Sequence, residues 1–155
     1  MLAKKIEEFL KHREFISAAT CDLIGRPNAA PKFFLKLEHN FIYLIDYTLS
    51  KTWENLKVNP HVSLSFVDME ELVGYQVNGT VTIVEKGTEF QTILHELRQK
   101  AVSLSAKRII EGVSTGKKHK SFEINIPDKF AIYKVKIVEV TEIGLRGDLT
   151  KENIS

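Results

Sequence analysis

The chain has 155 residues, 43% of them hydrophobic and 27% charged, the length and balance of one ordinary globular domain. A formal net charge of +2 is too small to suggest a nucleic-acid or membrane partner. The single cysteine, Cys21, excludes an intramolecular disulfide and suits a reducing compartment, so the cytoplasm is the expected location.

Leu2, Ile6, Phe9 and Leu10 share one side of a helical wheel, with Lys4, Lys5, Glu7, Glu8 and Lys11 on the rest. This predicts an amphipathic helix packed on the main body. Met1 to Arg13 has no unbroken apolar region, so no signal peptide is expected, and no apolar run reaches the length of a membrane span.

Glu14 to Cys21 predicts a first strand. Asp22 to Pro27 is a turn in which Gly25 supplies left-handed backbone freedom and Pro27 helps set the exit. Asn28 to Glu38 returns as a second strand. Its alternation places Ala29, Pro31, Phe33, Leu35 and Leu37 on one face, read as core, and Ala30, Lys32, Phe34, Lys36 and Glu38 on the other. The two lysines flanking Phe34 suit either a solvated outer face or the lining of a site for a flat, anionic ligand.

Phe41 to Phe66 reads as strand, loop, short helix, turn and strand. Phe41 to Ile45 is apolar and β-branched. A helix opens at Leu49-Ser-Lys-Thr and stops at Asn59-Pro60, because proline biases the preceding residue away from α geometry. Val62, Leu64 and Phe66 then resume at period two. The helix start concentrates the chemistry: its first N–H groups lack intrahelical acceptors, and Ser50, Lys51 and Thr52 add two hydroxyls and an ammonium. That set suits a phosphate cradle, or simply a capped helix with a solvated lysine.

Val73 to Glu85 is the clearest strand, with Tyr75, Val77, Gly79, Val81 and Ile83 on one face and Gln76, Asn78, Thr80 and Thr82 on the other. Gly79 within it suggests a bulge or a close approach to the backbone. Thr88 as cap with Gln91 three residues on predicts a further helix through Phe90, Ile93, Leu94 and Leu97, interrupted at Ser103-Leu-Ser105, with a second helical piece ending at Gly112. A basic loop follows, including Lys117 to Lys120, and Phe130 to Ile143 is the last strand. Residues 1–143 are read as a single domain and 144–155 as a loose tail. About six strands in adjacent antiparallel pairs, with helices between them, favour a small antiparallel barrel.

The five histidines, His12, His39, His61, His95 and His119, show no metal-ligand spacing with each other or with Cys21, so no metal site is expected. Gly112 to Lys118 superficially looks like a nucleotide-binding loop. It has three residues between its glycines rather than four, Lys118 stands where a Ser or Thr is needed, and no strand leads into it. No side-chain pair stands out as a general acid and base, which directs any redox chemistry to a cofactor.

Three stretches together carry a family likeness: the hairpin from Ile16-Ser-Ala-Ala-Thr through Gly25-Arg-Pro27 to Pro31-Lys-Phe-Phe34, the Phe41 to Phe66 unit, and Tyr75-Gln-Val-Asn-Gly-Thr-Val. The sequence resembles the pyridoxamine 5′-phosphate oxidase-like, FMN-binding split-barrel family. The resemblance implies a mainly β, six-stranded antiparallel split barrel forming a homodimer, with FMN in the cleft between subunits. It implies that Ser50, Lys51 and Thr52 hold the phosphate, that Lys32, Phe33, Phe34 and Lys36 meet the flavin, and that Gln76 and Asn78 contribute from a neighbouring strand.

The chain departs from the oxidases proper. It has no tryptophan beyond Trp53 and no C-terminal paired arginines, so it is not expected to make pyridoxal phosphate. The expectation is an FMN-dependent oxidoreductase acting on a small substrate. The alternatives are a non-enzymatic flavin or electron-transfer module, a relative binding haem or the deazaflavin F420, and a barrel without cofactor that serves as a dimeric interaction domain.

Overall fold

In chain order the elements are α1 (Leu2–Leu10), β1 (Phe15–Cys21), β2 (Pro27–Glu38), β3 (Phe41–Asp46), α2 (Lys51–Val58), β4 (His61–Asp68), β5 (Val73–Val84), α3 (Thr88–Thr115), β6 (Ala131–Ile143) and β7 (Leu149–Asn153). The structure is a computed structural model that describes residues 2–116 and 126–154. The basic run from Lys117 to Lys120 lies outside the described residues.

Every strand pairing is antiparallel. The order β3-β2-β1-β4-β5-β6 closes on itself through a β3–β6 pairing, which gives the six-stranded barrel expected from the sequence. Closure removes the unpaired edges that an open sheet would expose. The first half of β6 pairs with β3 and its second half carries β7. A strand therefore stands within the segment read as a loose tail, because Ile143 and Gly144 turn the chain back and Gly144 N–H donates to the Asp148 carbonyl (2.7 Å).

Period-two alternation fills the barrel. Ile16 and Ala18, Ile42 and Leu44, Val62 and Leu64, Tyr75 and Val77, and Tyr133 and Val135 all point into one buried cluster. Helix α1 adds Leu2, Ile6 and Leu10 to that cluster. A nine-residue helix is not stable alone, but burying Ile6 and Leu10 contributes about 1.5–3 kcal/mol each. Helix α2 inserts Leu56, with Leu49 and Trp53 packed against the same cluster.

The faces of β2 differ from the expectation. Phe34, not Phe33, belongs to the barrel core. The register shifts between Phe34, opposite Leu44, and Lys36, opposite Tyr43, which makes Leu35 a bulge. A bulge inverts the alternation beyond it. Leu37 thus packs against the core as expected, while Ala29 and Pro31, read as core, are exposed. Phe33 lies on the outer side, its ring 5.8 Å from that of Phe15 and 6.1 Å from that of Tyr47.

Gly79 meets the close approach its position suggested. A Cβ there would collide with the Lys136 carbonyl oxygen and lie 2.9 Å from Val135 Cγ1. The β5–β6 register shifts at the same place, between Asn78 and Gly79.

By compactness, Met1–Val84 with Phe130–Ser155 form one unit and Glu85–Lys129 a second. Within the second, α3 is continuous over 28 residues and is capped by Gly87 rather than Thr88. The expected break at Ser103 to Ser105 does not occur. Ser105 Oγ donates to the Ala101 carbonyl one turn back (2.8 Å), a bond that lets a serine sit inside a helix. The helix runs past Gly112 and ends where Gly116 adopts a left-handed conformation, φ 72°.

Candidate functional site

Helix α2 begins at Lys51 with Ser50 as its N-cap residue, and the Ser50 side chain caps no backbone N–H. The first helical bond runs from Glu54 N–H to the Ser50 carbonyl (3.0 Å). The N–H groups of Lys51, Thr52 and Trp53 precede it and gain no acceptor from the helix itself. Lys51 Nζ lies 4.0 Å from the Glu54 carboxylate and its side chain is 44% exposed. Such a pair is weak in water, so the ammonium remains available to an anion. Thr52 is different: it is buried, and its Oγ1 accepts from Asn28 Nδ2 (3.2 Å). Asn55, one turn on, is also buried and donates through Nδ2 to Thr20 Oγ1 (3.1 Å). These two bonds tie α2 to β2 and β1 and fix where its N-terminus points.

Lys32 is not on an open face. Inward-facing on β2, opposite Ile16, it is buried and reaches Asp46 Oδ1 at 3.0 Å. Asp46 is the fully buried last residue of β3. Its Oδ1 also accepts from the Thr48 N–H (3.0 Å) and Thr48 Oγ1 (2.8 Å), and its Oδ2 accepts from the Tyr133 hydroxyl (2.6 Å). Lys32 Nζ also donates to Thr48 Oγ1 (3.3 Å). Burial pushes the Asp46 carboxyl up, but hydrogen bonds from Tyr133, the Thr48 N–H, Lys32 and the Thr48 hydroxyl together outweigh it and hold the group below its ordinary value. Tyr133 is pushed far upward by burial and by its bond to Asp46.

The remaining candidates divide between two places. Lys36 Nζ sits 4.8 Å from the Tyr43 ring centroid and 3.4 Å from Glu38 Oε2. Gln76 and Asn78 lie on the outer face of the barrel, in two cross-strand rows: Ser17, Ser65 and Gln76, then Ala19, Ser63 and Asn78. Gln76 is exposed, and Asn78 Nδ2 donates to Glu139 Oε1 (3.3 Å). An open cleft of ≈ 430 Å³ borders this face, lined by Thr20, Cys21, His61, Ser63, Asn78 and Gly79 among others. Among the described residues, no group of three or more His, Cys, Asp or Glu side chains is placed to hold a metal ion. No helix among them is long and apolar enough to cross a membrane.

The sequence reading passed over Asp46, Thr48 and Tyr133. One signal was available for the first: an acidic residue closing an apolar strand, five positions before a helix start, is costly unless it finds partners.

A family model described as pyridoxamine 5′-phosphate oxidase matches residues 2–144. Among curated proteins none matches the sequence. Solved structures share the fold. One is a Clostridium acetobutylicum protein related to general stress protein 26 of B. subtilis, of the pyridoxinephosphate oxidase family (17% identity, 97% of this chain and 93% of that one, TM-score 0.68). Another is a pyridoxamine 5′-phosphate oxidase-related, FMN binding protein from Nostoc punctiforme (15%, 99% and 94%, TM-score 0.57). A third is a heme binding protein from Mycobacterium smegmatis (14%, 99% and 58%, TM-score 0.69).

Proposed function

Because the chain belongs to the pyridoxamine 5′-phosphate oxidase family, we propose that it is a cytoplasmic, homodimeric, FMN-binding oxidoreductase acting on a small substrate other than the vitamin phosphate. The observation that carries this reading is the start of α2, where Ser50 is exposed and Lys51 half-exposed at a helix N-terminus whose Ser50 hydroxyl caps nothing. A phosphate monoester carries about two negative charges near neutral pH. A point-charge ammonium, a hydroxyl and first-turn N–H groups are the donors it needs. The residues present fit that group at Ser50 and Lys51. Thr52 and Lys32 serve it indirectly, because both side chains are buried and packed against their partners Asn28 and Asp46.

When bound, FMN supplies the redox chemistry. The chain's own residues bind and orient it, and none is assigned as a catalytic acid or base. The outer rows of Ser17, Ala19, Ser63, Ser65 and Gln76 are small or polar and lie over one continuous strand surface. They form the proposed dimer face, beside which the isoalloxazine ring lies. One observation favours haem as a second reading: the exposed His61 borders the same open cleft as Cys21, on a fold shared with the Mycobacterium smegmatis heme binding protein.

The test is an absorbance spectrum of the purified protein after incubation with FMN and removal of the excess. Retention of one flavin per chain supports the assignment. A colourless protein overturns it, and a haem titration of the same sample then tests the second reading.

A further inference from the structure

We infer that Lys32, Asp46 and Thr48 are positioning residues for the phosphate-binding turn, holding the link between β3 and α2 in the shape that presents Ser50 and Lys51 to a phosphate monoester. This rests on the reading of Ser50 and Lys51 given above and goes beyond it, because it assigns three side chains that bond to one another to the shape of the turn rather than to contact with the anion.

The geometry is one of anchors on both sides of an exposed pair. On the β3 side, Asp46 is fully buried and cannot move without leaving its partners. It grips Thr48 twice, at the backbone N–H (3.0 Å) and at Oγ1 (2.8 Å). The same Thr48 oxygen accepts from Lys32 Nζ (3.3 Å), which also pairs with Asp46 (3.0 Å). The next residue, Leu49, has φ 47°. A side chain with a Cβ adopts that left-handed backbone only where its surroundings enforce it, and here its own side chain packs against the barrel core. On the α2 side, Thr52 and Asn55 are tied to Asn28 and Thr20. Ser50 and Lys51 are the short exposed span between these ties.

A loop ordered before binding loses little conformational freedom when an anion arrives, and that saving appears directly as affinity. Thr48 is the informative residue because it is exposed and contributes nothing to the barrel core. Replacing its hydroxyl removes the side-chain half of the grip, while the backbone bond remains.

The test compares FMN with riboflavin, which lacks only the phosphate. Both are titrated by flavin fluorescence into the wild type, Thr48→Val, Thr48→Ser and Lys51→Ala. Loss of one charge-assisted bond is expected to lower the FMN-to-riboflavin affinity ratio about tenfold in Thr48→Val. Thr48→Ser, which keeps the hydroxyl, is expected to restore it. Riboflavin affinity is expected to be unchanged throughout. A ratio that falls in Lys51→Ala but not in Thr48→Val overturns the positioning role alone. Equal weakening of both flavins by Thr48→Val overturns it as well, since that is what a purely structural residue would do. A ratio that Lys51→Ala leaves unchanged overturns the phosphate site itself, and the inference with it.

Discussion

Replacing Lys32 with methionine keeps most of the side-chain volume and removes the ammonium from a buried pair. Lys32 is 6% exposed and Asp46 is 0% exposed. Removing one partner of such a pair leaves the other as an uncompensated buried charge, at a cost of about 3–5 kcal/mol. Asp46 would retain three hydrogen bonds, from the Tyr133 hydroxyl, the Thr48 N–H and the Thr48 hydroxyl. That places the loss at the lower end, about 3 kcal/mol. For a chain of this length each kcal/mol moves Tm by about 2–4 °C, so Lys32→Met should melt about 6–12 °C below wild type near neutral pH.

The same substitution has a pH signature. In the folded wild type, burial raises the Asp46 carboxyl, but hydrogen bonds from Tyr133, the Thr48 N–H, Lys32 and the Thr48 hydroxyl bring it below its ordinary value. A carboxyl depressed on folding contributes stability above its unfolded value, about 3.9, and loses that contribution as pH falls through the folded value. Without Lys32 the balance shifts back toward burial and the carboxyl takes up a proton at higher pH. The deficit of the variant is therefore largest near pH 7 and narrows toward about pH 4. Urea unfolding at both values, followed by circular dichroism, checks the magnitude and the trend. A Tm within about 2 °C of wild type, or a deficit that does not depend on pH, would refute the argument that the pair is buried and mutually dependent.

Lys51→Ala should weaken FMN by about 1–3 kcal/mol, the range for a bond to a charged group, with Tm unchanged; fluorescence titration and a melting curve read the two quantities. Gly79→Ala forces a Cβ onto the Lys136 carbonyl and to 2.9 Å from Val135. Backbone cannot yield as a flexible side chain can, so the urea midpoint should fall by the equivalent of about 1–3 kcal/mol. Asn55→Ala leaves the buried Thr20 hydroxyl without its donor and should cost about 1–3 kcal/mol in the same assay. Ser63→Arg places a charge on β4, the middle strand of the proposed dimer face, and sedimentation should show a shift from dimer to monomer while circular dichroism stays unchanged.

Much of the barrel could be read from the sequence because its information is local. Alternation in β4 and β5 grouped Val62 with Leu64 and Tyr75 with Val77, all of which point into the core, and the antiparallel pairing followed from short connections between successive strands. Asn59-Pro60 marked the end of α2, and the residue types at Ser50 and Lys51 marked its start. Each of these depends on a few neighbouring residues, where sterics and period are decisive.

Other features depended on partners far away in the chain. Nothing within Pro31 to Glu38 announces that Leu35 bulges; the shift exists only in the pairing with β3. That single residue lets Phe34 and Leu37 share the core side although they differ in parity, and Lys32, in step with Phe34, is buried with it. Whether Lys32 meets a ligand or a carboxylate was decided by Asp46, 14 residues on, and by Tyr133, 87 residues beyond Asp46. Thr52 likewise reads as an open hydroxyl from its position alone, but the fold buries it and sets Asn28, 24 residues earlier, against its oxygen. Period and residue type determine what a side chain can do and which way a regular strand points it. Which donor finds which acceptor is determined by barrel closure, because only closure brings β2, β3 and β6 side by side.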